Sequence, residues 1–137
     1  MLKRMKALKD QRGLTLIELL VVIVILGIIA AIAVVSIGGI MENSRKDAHI
    51  ANAQQIVNAS KLYFSAEYPS EDEVKLTTLI ADGYLTQIKD PTTGENYDAE
   101  EVEVSYDGEI YTIKLEGYYD GSINEFNRDS FDDDANI

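Results

Sequence analysis

Gly13-Leu14-Thr15-Leu16-Ile17-Glu18, followed by the apolar run from Leu19 to Val35, is the stretch around which the rest of the chain is organised. Glu18 is the only charged side chain between Leu14 and Met41, and Leu19 to Met41 is 23 residues. At about 1.5 Å per residue, a helix of that length covers the roughly 30 Å hydrocarbon core of a bilayer. A carboxylate in such a run costs on the order of 2.5–3.5 kcal/mol near mid-span and less near the edge. Glu18 therefore reads either as an interfacial residue reaching the head groups or as a charge held for a cationic partner that arrives on assembly.

Charge divides sharply on either side of this stretch. Residues 1–13 carry Lys3, Arg4, Lys6, Lys9 and Arg12 against Asp10, a net +4; residues 14–137 carry 7 basic and 23 acidic side chains, a net −16. The bias of Lys and Arg places residues 1–13 in the cytoplasm and the acidic part across the membrane. An acidic body repels phosphate backbones, so no direct nucleic-acid binding is expected. The chain has no cysteine, which excludes disulfides, thiol nucleophiles and thiolate metal sites. With one histidine, no phosphate-binding glycine loop, and carboxylates scattered over predicted strands and turns, no enzymatic activity, cofactor or metal site is expected. His49 lies among polar neighbours and reads as a solvated side chain.

Three readings compete for the apolar run. A secretory signal peptide would have a basic start, a short apolar core and a small-x-small cleavage site, which Ala31-Ile32-Ala33 supplies. Against it, the apolar run continues through Val34, Val35, Ile37 and Ile40, and Glu18 sits at its start. A plain single-span anchor accounts for length and orientation but not for Glu18.

The third reading rests on a likeness. Gly13-Leu14-Thr15-Leu16-Ile17-Glu18-Leu19-Leu20-Val21-Val22 resembles the class III signal peptide of type IV pilins and pseudopilins. The resemblance implies that a prepilin peptidase cuts after Gly13, that Leu14 becomes the N-methylated N-terminus, and that Glu18, fifth after the cut, is needed for filament assembly. In a low-dielectric filament core, Glu18 of one subunit can neutralise the new Leu14 ammonium of its neighbour. Leu14 stands where Phe is most frequent in the family. The proline many members carry in the apolar helix is absent, leaving Gly27, Gly38 and Gly39 as its helix-weakening residues.

Beyond Met41 the helical spacing continues: Ala53, Ile56, Val57, Ser60, Tyr63 and Phe64 form one stripe, with Gln54, Gln55, Asn58 and Lys61 between them. A continuous helix from about Glu18 to Glu67 would be roughly 75 Å long, with the Ile56/Tyr63/Phe64 stripe packed on a sheet. Tyr68-Pro69 predicts its end. Ser70 and Glu73 form a capping-box pattern opening a short helix through Val74, Leu76, Leu79 and Ile80, closed by Gly83. The segment Leu79 to Leu85, with Asp90-Pro91 and Gly94, resembles the loop between helix and sheet in pilins and major pseudopilins. Val102, Val104 and Tyr106 alternate with polar residues, and Asp107-Gly108 reads as a two-residue hairpin turn, setting Val104 opposite Tyr111, Val102 opposite Ile113 and Glu101 opposite Lys114. Asp120-Gly121 reads as a second such turn before a strand from Ser122 to Asn127, with Phe126 opposite Leu115. Residues 129–137, with Asp132, Asp133 and Asp134, read as a solvated, partly disordered acidic tail; calcium is the alternative the resemblance raises, and no metal site is assigned.

The expected fold is α+β and pilin-like, a long N-terminal helix packed on a C-terminal antiparallel β-meander. The expected organisation is a basic leader (1–13), an apolar transmembrane and assembly helix (14–41), its amphipathic continuation (42–67), the loop and sheet of a globular head (68–128) and an acidic tail (129–137). The expected function is that of a prepilin, favouring the major subunit of a type IV pilus. The alternatives are a pseudopilin of a type II secretion or DNA-uptake system and, from another class, a secreted or membrane-anchored acidic binding module released after Ala33. The absence of a cysteine pair in the C-terminal region, which many Gram-negative pilins have, favours a Gram-positive or pseudopilin origin. The partners implied are further copies of the chain in a helical homopolymer, the prepilin peptidase, the pilus assembly platform with its ATPase, and the membrane before assembly. The expected location is a single-pass cytoplasmic-membrane protein, N-terminus inside, that ends in an extracellular pilus or a short periplasmic or wall-spanning filament.

Overall fold

The computed structural model describes residues 14–67 and 69–137 with their side chains; the leader and Gly13 lie outside these. The described part of the first helix, α1, is Leu14–Glu67. The chain divides into two compact units, Met1–Ile40 and Met41–Ile137.

In the first unit, α1 is built from Leu, Ile, Val and Ala with no proline, so its backbone hydrogen-bonds itself throughout, as an apolar solvent requires. The Ser36 hydroxyl donates to the carbonyl of Ile32 at 3.2 Å, leaving no orphaned donor on that side chain. The large apolar side chains from Leu14 to Ile40 stand exposed on every face, Leu16 by 70% and Val35 by 81%. This half of α1 has no cover of its own.

In the second unit, the end of α1 turns Ala53, Ile56, Val57 and Ser60 inward, all buried, with Tyr63 and Phe64 half-buried beyond them. The predicted stripe is therefore the helix's core face. Buried Ser60 donates to the Ile56 carbonyl at 2.8 Å, so its hydroxyl is satisfied within the helix. Helix α1 ends at Glu67, before Pro69.

The sheet has four antiparallel strands in sequential order: β1 (Glu73–Lys75), β2 (Val102–Tyr106), β3 (Tyr111–Leu115) and β4 (Tyr119–Ser122). Helix α2 (Leu76–Ala81) follows β1. Val102, Val104, Ile113 and Leu115 alternate inward and are fully buried, while exposed Lys114 and half-buried Glu103 pair on the opposite face. The α+β arrangement of a long helix and an antiparallel meander is thus present, with one strand more than the sequence suggested.

Four local expectations are corrected. Ser70 and Glu73 do not form a capping box: Glu73, Val74 and Lys75 pair with Ser105, Val104 and Glu103, and α2 starts after Lys75 with no side-chain cap. Burying Val74 on Val104 and completing the sheet edge outweighs a cap worth about 1 kcal/mol. The β2–β3 turn has four residues, not two. Asp107 Oδ1 accepts from the N–H groups of Glu109 and Ile110 at 2.9 and 2.8 Å, so the pairs are Val104 with Ile113, Val102 with Leu115 and Glu103 with Lys114.

Asp120-Gly121 is no turn but lies inside β4. The chain reverses instead at Glu116-Gly117, both with positive φ (36° and 80°). Gly121 is needed within the strand because the Tyr119 side chain lies over it: a Cβ there would sit 2.7 Å from the Tyr119 hydroxyl oxygen. Ser122 to Asn127 accordingly contains a 3-10 turn, Ile123–Glu125, and Phe126 stacks on Tyr119 at 4.0 Å between ring centroids. The tail also packs. Asp132 N–H donates to the Tyr118 carbonyl at 2.8 Å, and Phe131, Ala135 and Ile137 lie half-buried against the core while Asp132, Asp133 and Asp134 stay exposed.

Candidate functional site

Leu14 and Glu18, the residues on which the processing and assembly reading rests, are one helical turn apart on α1 and both exposed. Gly13, on the other side of the expected cut, lies outside the described residues. Around and beyond Glu18 the helix presents Leu16, Ile17, Leu19 and Leu20 to the outside, each more than half exposed. Such a surface is stable only in lipid or against other apolar helices. Among the described residues, α1 is the one helix long and apolar enough to cross a membrane. What the segment can do chemically is limited and specific: it can partition into a bilayer, and it can offer one carboxylate to a cation in that setting.

The head contains a polar centre that the sequence reading missed. His49 is not solvated; it is fully buried, and both ring nitrogens have partners. Nδ1 lies 2.5 Å from the Tyr97 hydroxyl and Nε2 lies 2.8 Å from Thr92 Oγ1. Asp90, also buried, accepts the Tyr118 hydroxyl at 2.6 Å on Oδ2 and the Thr92 N–H at 2.7 Å on Oδ1, which lies 3.6 Å from His49 Nε2. Asn52 Nδ2 donates to the Tyr97 oxygen at 3.4 Å.

Burial holds the His49 pKa below its ordinary 6.5, against the opposing pull of Asp90. Burial and the bond to Asp90 push Tyr118 up to about 12, and burial raises Tyr97 as well. These side chains come from separate places. His49 and Asn52 are on α1; Asp90, Thr92 and Tyr97 are on the loop after α2; Tyr118 follows β3; and Phe131 of the tail closes edge-on over His49 at 5.9 Å. A turn fixes the loop itself: Asp90 N–H donates to the Glu95 carbonyl and Gly94 N–H to the Asp90 carbonyl, at 2.7 and 2.8 Å. Outside it, Arg128 makes a two-pronged pair with Asp47, and its hydrogen bonds and positive charge lower the Asp47 pKa against an opposing desolvation. Lys46 stands 5.6 Å over the Phe131 ring.

With its titratable members shut from solvent, this centre ties loop and tail to the helix. A signal for it existed in the sequence: His49, Ala53, Ile56 and Ser60 step by four, three and four along one helical face. Among the described residues, no group of three or more His, Cys, Asp or Glu is arranged to hold a metal ion.

Residues 8–34 match the family model described as the prokaryotic N-terminal methylation motif. That motif is the class III signal peptide of type IV pilins and pseudopilins, and it spans the basic end of the leader, Gly13, Leu14, Glu18 and most of the apolar run. No curated protein and no solved structure matches the chain.

Proposed function

We propose that this type IV pilin-like precursor is cut after Gly13 by a prepilin peptidase, N-methylated at Leu14 and polymerised through α1 as the structural subunit of a type IV pilus. The observation that carries the reading is the coincidence of the methylation motif with an apolar helix left bare on every side. Before the cut, residues 1–13 stay in the cytoplasm and the acidic head lies outside, the span between them serving as the membrane anchor.

The cut creates an ammonium on Leu14, and Glu18 of an adjacent subunit neutralises it. Each charge alone is costly in an apolar bundle; paired, they set the register between helices. Burial of Leu16 to Ile40 among sister helices replaces burial in lipid. Extraction from the bilayer requires work from an assembly platform and its ATPase. The chain itself performs no catalysis in this scheme. A pseudopilin of a secretion or DNA-uptake machine is the second reading, favoured by a head held without any cysteine pair.

Intact-mass and N-terminal analysis of the native protein tests the first step. An N-methylated Leu14 is expected, whereas a chain beginning at Val34 means cleavage by signal peptidase and ends the pilin reading. Glu18→Ala is expected to be processed normally and to remain in the membrane. Removing one member of a buried ion pair costs about 3–5 kcal/mol, so filament yield should fall by roughly a hundredfold or more. Normal filaments from that variant would remove Glu18 from the mechanism.

A further inference from the structure

The head, residues 41–137, carries 22 acidic and 7 basic side chains, a net −15. Copies of such a body repel one another over most of their surface. One part of it is exempt. From Ala48 to Ala66, the 19 residues between Asp47 and Glu67, there is no acidic residue, so all 22 fall in the other 78 residues of the head.

The core face of this stretch is covered by the sheet, but Ala51, Gln55, Asn58, Leu62 and Ser65 are exposed and recur every three or four residues, forming one face of the helix. Leu62, 62% exposed, is the most exposed large apolar side chain among the described residues of the head. The charge beside it is a cation, Lys61. The adjoining groove of about 410 Å³, lined by Gln54, Asn58, Lys61, Ile123 and Asn124 among others, also contains no acid.

We propose that this acid-free face of α1 is where a second copy of the chain docks on the head. The inference rests on the polymerisation proposed above and names the head surface it uses. Three features choose a second copy as the occupant. A like-charged body can approach closely only where its own charge is missing. The amides and small side chains of this face lose little on desolvation if they hydrogen-bond across the contact. Lys61 is complementary to the acidic surface that most of a neighbouring head presents.

The test uses the full chain in cells that assemble it. Gln55→Glu with Asn58→Glu puts two carboxylates on the face without lowering helix propensity. Like-charge juxtaposition in an interface costs several kcal/mol, so sheared filament should drop by about tenfold or more. Thr86→Glu with Gln87→Glu adds the same charge on an exposed loop and should leave filament yield within about twofold, the range of surface changes. Equal losses in both pairs would mean net charge alone is responsible and would overturn the proposal.

A second readout does not depend on assembly defects. In this cysteine-free chain, Asn58→Cys should react with a maleimide at least about tenfold more slowly in filaments than in detergent-dispersed subunits, the sign of a surface that has become buried. Thr86→Cys should react alike in both. Equal labelling of Cys-substituted position 58 in the two states, with wild-type filaments present, sinks the docking face and leaves polymerisation standing. Absence of any wild-type filament sinks both.

Discussion

At the scale of the residue, His49 is the side chain whose environment most changes what the molecule is expected to do. Burial keeps it neutral in the folded head, so its pKa is depressed below the 6.5 of an unfolded chain. The sign follows: the unfolded state takes up a proton first, so this contribution is fully present above about pH 6.5 and is lost as pH falls through the lower folded value. Thermal melts of the intact protein should therefore show stability dropping between pH 7 and 5. The groups around the ring are Asp90, Tyr97 and Tyr118, with Lys46 outside Phe131. The tyrosines titrate far above this window and the exposed carboxylates with lowered pKa, Asp47, Glu100 and Asp107, well below it, while Glu116, whose pKa burial raises, acts with the opposite sign. His49→Gln should lower stability overall and flatten the profile from pH 7 to 5; an unchanged slope would place the titration elsewhere. His49 was misread because its sequence neighbours, Arg45, Lys46 and Asp47, are polar, while the partners that bury it are more than 40 residues away. Glu18, by contrast, stands out in the sequence itself, since a lone carboxylate in an apolar run is conspicuous without any knowledge of the fold.

At the scale of the element, what the sequence disclosed was periodicity, and what it withheld was turn geometry. The core stripe of α1 and the inward set Val102, Val104, Ile113 and Leu115 followed from spacings of 3.6 and 2. The β2–β3 register was off by two residues, which keeps every side chain on its expected face, because a slip of two preserves the alternation. Asp-Gly pairs were the source of the error. Asp107 does start a turn, but through its side chain and over four residues; Asp120-Gly121 serves ring packing inside β4. The reversal before β4 depends on Gly117 at φ 80°, a conformation that costs a residue with a Cβ about 1–2 kcal/mol. Gly117→Ala should lower stability by that amount in denaturant titration, with no neighbouring atom in the way of the new methyl. A neutral result would show that the turn relaxes. The tail was unreadable for a related reason: three consecutive aspartates dominate its composition, while the anchoring is done by Phe131, Ile137 and a backbone bond to Tyr118.

At the scale of the whole molecule, charge is distributed as a vector along the chain: +4 on residues 1–13, one carboxylate in the apolar helix, and −15 on the head. Two effects act on that vector in the same direction. Lys and Arg beside a span are retained in the cytoplasm, and an inside-negative membrane potential favours outward movement of an acidic body by about 2.3 kcal/mol per charge per 100 mV. In the proposed scheme the leader is the retaining end, and its removal after Gly13 would leave a chain of net −16 with no basic segment ahead of the span. Of the two effects, the leader's is the local one, because acidic residues contribute little to the orientation of a span. Replacing Lys3, Arg4, Lys6 and Lys9 by Gln leaves Arg12 against Asp10 and brings the leader to zero. The fraction of chains with the head outside, measured by protease added to intact spheroplasts, should then fall several-fold, and processing should fall with it, since a leader on the wrong side does not meet a peptidase acting from the cytoplasm. If the head remains fully accessible to protease, the acidic body and the potential suffice to set topology, and the basic leader serves the peptidase alone.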